Sequence, residues 1–152
     1  MNSSIFEALR EDHDRQRSLL ERLAQTEGDS RARRRLFNEL KSELAWHAAA
    51  EERHFYVPLI EHDMTQEQAR HGIAEHHELD ELIEELDGMD MSSPGWLLRA
   101  RHLFERVDHH LAEEEHKVFQ LAGKVLNDRQ KARLGGTYRE AMKEARGDRA
   151  AA

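Results

Sequence analysis

Metal-binding residue types recur in the two halves of this 152-residue chain at one constant offset of 63 residues. The matched pairs are His13 with His76, His47 with His110, and Glu51 with Glu114. Imidazole nitrogens and carboxylate oxygens are donors that bind divalent transition metals in proteins. A duplicated set of four histidines and two carboxylates therefore predicts a two-metal site shared between the halves.

The spacing inside each half is also typical of a metal site. Glu51 follows His47 by four residues, and Glu114 follows His110 by four. Residues four apart lie on one face of a helix, so both side chains can reach one metal centre. A single such pair is commonly an exposed pair on a solvated face. Two copies at a fixed offset, each with a matching upstream histidine, favour metal binding.

The candidate ligands occupy apolar stripes that should face a helical core. His13 lies between Leu9 and Leu20 on such a stripe, and the other candidates have similar neighbours. An unpaired carboxylate in a dry core costs several kcal/mol, and divalent cations remove that cost because the ligands give up protons to them. The offset also favours His76 over adjacent His77, since only His76 is followed at the matching position by an apolar residue, Ile83.

Composition limits the fold and the partners. Charged residues make up 36% of the chain, Pro and Gly are few, and the net charge is −8. These values favour helices and argue against nucleic acid or an anionic membrane as partner. The absence of cysteine excludes disulfides and thiolate metal sites. With neither a signal-like segment nor a run of about 20 apolar residues, a cytoplasmic protein is expected.

Helix start and stop signals predict five helices and no strands. We expect them to run from Ser4 towards Glu27, from Ser30 to about His62, from a Thr65–Gln68 capping box to Gly88, from Ser93 to about Val125, and from Asn127 to a charged tail after Arg146. Short connections make neighbours antiparallel. The prediction is an all-α fold, with an up-down-up-down four-helix bundle over residues 1–125 and an additional C-terminal helix and tail over 126–152.

From about residue 5 to 125 the chain resembles the hemerythrin-like, HHE cation-binding family. The resemblance rests on Glu11-Asp12-His13, His47-Ala-Ala-Ala-Glu51-Glu52 with Tyr56-Val-Pro-Leu, Glu75-His76, and His110-Leu-Ala-Glu-Glu114-Glu115. It implies a bundle around two non-haem iron ions with an oxo or hydroxo bridge. By the same resemblance Glu51 and Glu114 would bridge the metals, and His13, His47, His76 and His110 would be terminal ligands.

Two departures separate the chain from the oxygen-carrying members. Those proteins have a further histidine one turn before the position of His76, where this chain has Gly72, and they space the fourth-helix ligands by five residues. His71 lies about 100° away on the helix and does not replace that histidine. The chain therefore resembles the non-respiratory, bacterial or sensor-type branch. Counting ligands leaves about four coordination places open on two octahedral metals, which favours reaction with O2, NO or peroxide over reversible carriage.

Three functions stay open from the sequence. The first is a binding protein that binds or senses iron or a small diatomic ligand, O2 or NO. The second is a di-iron enzyme with oxidase or peroxide-consuming activity, and the third is a metal-free helical interaction module. The sequence leaves undecided the metal, the oligomeric state, the role of the last helix, and whether His71, His77 or Tyr56 adds a ligand. Most other histidines are expected to be solvated.

Overall fold

A computed structural model describes residues 4–151 of the chain, and the side chains within residues 4–147. Over this range the protein consists of five long helices and no strand, as predicted. The helices are the first (Ile5–Ala24), the second (Arg31–Glu51, extended by Glu52–Tyr56 and Val57–Ile60), the third (Asp63–Asp87), the fourth (Pro94–Glu113, extended by Glu114–Val118 and Phe119–Val125) and the fifth (Asp128–Ala151). The first four form the predicted up-down-up-down bundle.

Most of the predicted helix ends are confirmed by side-chain caps. Ser4, Ser30 and Ser93 each accept a hydrogen bond from a backbone N–H in the first turn of the helix that follows. Gly88 is the C-terminal cap of the third helix. Asn127 and Gln130 exchange reciprocal hydrogen bonds between side chain and backbone, so a capping box opens the fifth helix.

Two predicted ends were wrong. The third helix begins at Asp63, before Thr65. Thr65 is buried, and its hydroxyl donates to the Leu59 carbonyl at the end of the second helix, so it cannot cap the third. The fifth helix continues beyond Arg146 to Ala151. The outermost residues of the two predicted regions, 1–3 and 152, lie outside the described part of the chain.

The core consists of two apolar clusters with a polar layer between them. The first apolar cluster, at the end with the loops after the first and third helices, includes Leu20, Leu40, Ile83 and Leu103. The second lies at the other end and consists of Ile5, Ala8, Leu9, Ala50, Phe55, Tyr56, Leu59, Ala69, Val118, Phe119, Ala122, Leu126, Leu134, Tyr138 and Met142. The six predicted ligands lie where these two clusters meet along the helices, so apolar residues cover the layer at both ends.

The fifth helix packs along the first and second helices. Its apolar residues Leu134, Tyr138 and Met142 belong to the second apolar cluster, and each is buried. The fifth helix therefore covers one side of the bundle. None of the helices within residues 4–151 has both the length and the apolar character that crossing a bilayer requires.

Candidate metal centre

The six predicted ligands converge in one buried layer. The first helix contributes one of them, the second and fourth contribute two each, and the third contributes one. None exposes more than 4% of its surface; the residues are His13, His47, Glu51, His76, His110 and Glu114. The apolar stripes therefore predicted correctly which residues face inward, and His77 is exposed, as the offset indicated.

All four imidazoles direct Nε2 at the two central carboxylates. His76 Nε2 lies 3.1 Å from Glu51 Oε1, and His47 Nε2 lies 3.4 Å from the same oxygen. On the other carboxylate, His13 Nε2 lies 3.2 Å from Glu114 Oε1 and His110 Nε2 lies 3.7 Å from Oε2. Each glutamate thus contacts one histidine from each half of the chain.

The donor atoms form two groups that could each hold a cation. One group comprises His13, His47, Glu51 and Glu114, and the other comprises Glu51, His76 and His110. Within each group one donor atom from every residue lies within 4.8 Å of the others. Because Glu51 belongs to both groups and Glu114 also contacts His110, the two carboxylates lie where they would bridge two cations.

On the opposite side of each ring, Nδ1 has a hydrogen-bond partner. We call these partners the outer partners: Glu115 for His13 at 2.7 Å, Glu52 for His76 at 2.7 Å, Glu75 for His110 at 2.8 Å, and the Tyr138 hydroxyl for His47 at 2.6 Å. A carboxylate only accepts, so the Nδ1 atoms facing carboxylates carry the proton. The Nε2 atoms of those rings can then offer a lone pair to the centre, which is the tautomer that binds metals.

The inward-facing atoms lack hydrogen-bond partners. All four Nε2 atoms, both oxygens of Glu51 and Oε1 of Glu114 are buried without one, so none of the close contacts above has hydrogen-bond geometry. Buried polar atoms are nearly always paired, and a set of seven facing one another requires an explanation. Lone pairs on imidazole and carboxylate converging on one space fit divalent cations, since a cation satisfies every donor at once.

The electrostatics of the layer point the same way. Burial favours neutral His13, but the neighbouring carboxylates of Glu114 and Glu115 outweigh it and raise the imidazole pKa to about 9. Burial is likewise outweighed at His76, where Glu51 and Glu52 raise the pKa to about 10. Burial and the charge of Glu51 raise the pKa of Glu114. Without cations, protons held by His13, His76 and Glu114 therefore offset the negative charge of the layer.

The second and fourth helices both change to a π-helical turn at the centre. The π turns span Glu52–Tyr56 and Glu114–Val118, directly at the two central glutamates. A π turn accommodates one residue more than an α turn, and such turns are frequent at functional sites. Two consecutive residues consequently face the core after each glutamate, Phe55 with Tyr56 and Val118 with Phe119. Sequence periodicity did not reveal these turns.

Tyr56 takes the space that a side chain at position 72 would need. A Cβ atom added to Gly72 would lie 2.7 Å from Cε2 of Tyr56 and closer still to Cζ and the hydroxyl. The Tyr56 hydroxyl donates a short hydrogen bond to Glu114 Oε2. Burial and the charges of Glu114 and Glu51 hold its pKa well above the ordinary value, so the phenol stays protonated. A protonated phenol thus fills the space beside position 72.

A small cavity lies beside the inward nitrogens. Its volume is about 20 Å³, enough for one water-sized molecule, and its walls are Gln16, Leu44, His47, Ala48, His76, Leu79, Asp80, Ile83, Val107 and His110. Five of these ten residues are apolar, and apolar atoms form most of the cavity surface. Gln16 exposes 1% of its surface, and its Nε2 has no hydrogen-bond partner. The cavity therefore places one buried amide next to three of the four imidazoles.

The remaining histidines do not enter the layer. His71, His77, His102, His109 and His116 are exposed, and His54 and His62 are half-buried. His71 instead approaches Glu75 and Glu113 at the surface, at 3.5 Å from each. Three outer residues were missed by the sequence reasoning. Asp12 and Glu75 are themselves 63 residues apart, so the repeat could have revealed them, whereas Tyr138 has no counterpart in the repeat.

Comparisons with known proteins identify the family and support the fold. A family model described as the hemerythrin HHE cation-binding domain matches residues 4–122. A crystal structure of a hemerythrin HHE cation-binding domain-containing protein, the Rv2633c homolog from Mycobacterium kansasii, shares the fold with a TM-score of 0.86. That chain is 24% identical, and the match covers 97% of this chain and 89% of that one. Curated proteins return no match to the sequence.

The family match spans most of the chain and includes all six residues of the buried layer. The chain therefore belongs to the hemerythrin HHE cation-binding domain family.

Proposed function

We propose that this protein holds two non-haem iron ions in the buried layer and binds a small diatomic molecule, O2 or NO, beside them. His13 and His47 would hold one ion, His76 and His110 the other, and Glu51 and Glu114 would bridge them. The observation that carries the proposal is the set of unpaired Nε2 and carboxylate atoms facing one another while every Nδ1 is bonded outward. Bound iron would supply open coordination positions and redox chemistry.

The cavity supports a small ligand. At about 20 Å³ it excludes an organic substrate, and its largely apolar walls suit a molecule such as O2 or NO. Four wall residues have an unpartnered nitrogen, and three of them are histidines that would bind the metals. The Gln16 amide is therefore the natural donor to a bound ligand. The cavity thus limits the ligand by size, and Gln16 orients it.

One observation favours an enzyme as the alternative. The Tyr56 hydroxyl is a buried O–H donor hydrogen-bonded to the bridging carboxylate Glu114, in the place where oxygen carriers have a histidine. A phenol there can deliver a proton or hydrogen bond to a reacting oxygen species, which an oxidase or peroxide-consuming reaction requires. The metal ligands would be the same in both cases.

Iron binding is tested by elemental analysis and thermal unfolding of the chelator-treated protein. We expect about two iron ions per chain after anaerobic addition of ferrous ion, and a higher unfolding temperature, because ligands that bind only the folded state stabilise it. The Glu51→Gln, Glu114→Gln double variant should bind less iron and lose the stabilisation. Glu105→Gln, an exposed change on the fourth helix, is the control. No uptake and an unchanged unfolding temperature in the unaltered protein would support a metal-free interaction module instead.

Metal-free protein should lose stability as the pH rises. The folded-state pKa values of His13 and His76 are about 9 and about 10, above the unfolded value near 6.5. The folded form therefore holds extra protons, and their stabilisation, complete below about pH 6.5, declines as the pH rises towards 10 at up to about 1.4 kcal/mol per unit per histidine. Urea unfolding at pH 6.5 and 9.5 measures this decline.

Iron loading should suppress that pH dependence, because the metal displaces the same protons. Loading at pH 8 should consequently release protons into weakly buffered solution, which a pH indicator records. A metal-free protein that is equally stable or more stable at pH 9.5 than at pH 6.5 would contradict the assigned protonation of the layer.

Gln16→Leu should weaken ligand binding without removing iron. The repeat has Leu79 at the matching position, so leucine is compatible with this place in the bundle. Loss of one hydrogen bond of about 1 kcal/mol should raise the Kd of nitric oxide about fivefold in an anaerobic optical titration. Leu79→Met, a change of similar volume at another residue that lines the cavity, should leave the affinity nearly unchanged. An unaltered Kd in Gln16→Leu would exclude Gln16 from the ligand's surroundings.

Turnover separates the binding protein from the enzyme. A binding protein should consume about one equivalent of hydrogen peroxide per centre, whereas an enzyme should consume many. We expect stoichiometric consumption of peroxide by the iron-loaded protein. An oxygen electrode and absorbance measurements monitor it. Sustained turnover that falls at least tenfold in Tyr56→Phe, at unchanged iron content, would establish the enzyme instead.

A further inference from the structure

The two halves of the chain support equivalent histidines in different ways. His47 and His110 are equivalent under the 63-residue offset, and so are Asp12 and Glu75. Glu75 accepts directly from His110 Nδ1 at 2.8 Å. Asp12 is one methylene shorter, and the hydroxyl of Tyr138 lies between it and His47, 2.6 Å from Asp12 Oδ2 and 2.6 Å from His47 Nδ1. The fifth helix thus completes in one half a contact that the other half makes by itself.

Arg146 determines the donor and acceptor roles in the series of hydrogen bonds that links it through Asp12 and Tyr138 to His47. Asp12 accepts from Arg146 through Oδ1 at 2.8 Å and from the Tyr138 hydroxyl through Oδ2. Arginine only donates, so the Asp12 carboxylate is the acceptor in its contact with Arg146, and its other oxygen is free to accept from the phenol. Because the phenol has one proton and gives it to Asp12, its oxygen must accept from Nδ1–H of His47. Nε2 of His47 is then left with its lone pair towards the centre.

The position of Tyr138 is held rigidly. Tyr138 is 1% exposed and Asp12 is 7% exposed, so bulk water does not compete for their hydrogen bonds. Arg146, two turns further along the fifth helix, binds Asp12 and also both oxygens of Glu43 on the second helix, at 3.0 and 2.9 Å. The fifth helix is therefore fastened to the first and second helices at the level of His47.

We infer that Tyr138 is a positioning residue of the metal centre, through which the fifth helix orients His47 and fixes its tautomer. The metal position at His13 and His47 consequently depends on the fifth helix, whereas the position at His76 and His110 does not. This inference rests on the proposed two-metal centre. It makes the two metal positions inequivalent although their ligands are matched by the repeat.

The decisive variant is Tyr138→Phe, which removes the hydroxyl and retains the ring. Anaerobic calorimetric titration of the full chain with ferrous ion should show two strong sites in the unaltered protein. Hydrogen-bond partners of this kind typically contribute 10–100-fold to metal affinity, so one site of Tyr138→Phe should weaken by about that factor while the other is unchanged. Glu140→Gln, an exposed change on the same helix, should leave both sites unaffected.

Glu75→Gln is the matched variant in the other half and should weaken the other site. Combining Tyr138→Phe with Glu75→Gln should weaken both. If Tyr138→Phe leaves both affinities unchanged, lowers both equally, or weakens the same site as Glu75→Gln, the inference is wrong. If the unaltered protein binds no metal, the proposed function itself fails, and that outcome is recognisable before any variant is made.

A second measurement separates orientation of His47 from general loss of stability. Zn2+ accepts the same nitrogen and oxygen donors and is diamagnetic, so the zinc-loaded protein permits NMR of the imidazole N–H groups. We expect a slowly exchanging Nδ1–H signal from His47 that disappears in Tyr138→Phe, while the His110 signal persists. A His47 signal that exchanges equally slowly without the hydroxyl would overturn the inference, whatever happens to the unfolding temperature.

Discussion

The structure depends on the hydrogen bond that each of four buried imidazoles makes at Nδ1. This bond orients the ring and fixes the tautomer, so that Nε2 presents a lone pair to the centre. Each of the four partners comes from a different helix than its histidine. These bonds form only when the helices keep their axial register and their rotation relative to one another. The apolar clusters on either side hold the helices together, and these four bonds determine how they are aligned.

Charge is distributed over the centre in successive layers. The central carboxylates Glu51 and Glu114 face the imidazoles, and further carboxylates hold the outer ring nitrogens. Arginines near the surface in turn neutralise several of those acids: Arg17 binds Glu115, Arg146 binds Asp12, and Arg106 approaches Glu75. Burial opposes ionisation of Glu115, yet His13 and Arg17 lower its pKa to about 2. Glu115 therefore stays ionised. The negative charge at the middle would be balanced by bound cations, and by retained protons on His13 and His76 without them.

The sequence predicted the inward faces of four helices because the repeat and the apolar periodicity agreed at every ligand. It also predicted the caps at Ser4, Ser30 and Ser93, which are local interactions. It failed at Thr65, whose hydroxyl binds the preceding helix, and at the π turns, because Phe55 and Val118 fit the apolar stripe with or without an extra residue. The role of Tyr138 could not be predicted for a different reason. Its partners are distant in the chain, and the residue lies outside the 63-residue repeat.

The separation of these residues along the chain has a consequence for how the centre is assembled. Tyr138 is 91 residues from His47 and 126 residues from Asp12, so its two hydrogen bonds are among the longest-range contacts in the fold. During synthesis all six candidate ligands emerge from the ribosome before Tyr138 does. A bundle of four helices can then already offer a complete set of metal donors, with His47 still unsupported. On the proposed two-metal centre, metal arriving at that stage would meet one finished position and one unfinished position, and the last helix would complete the second.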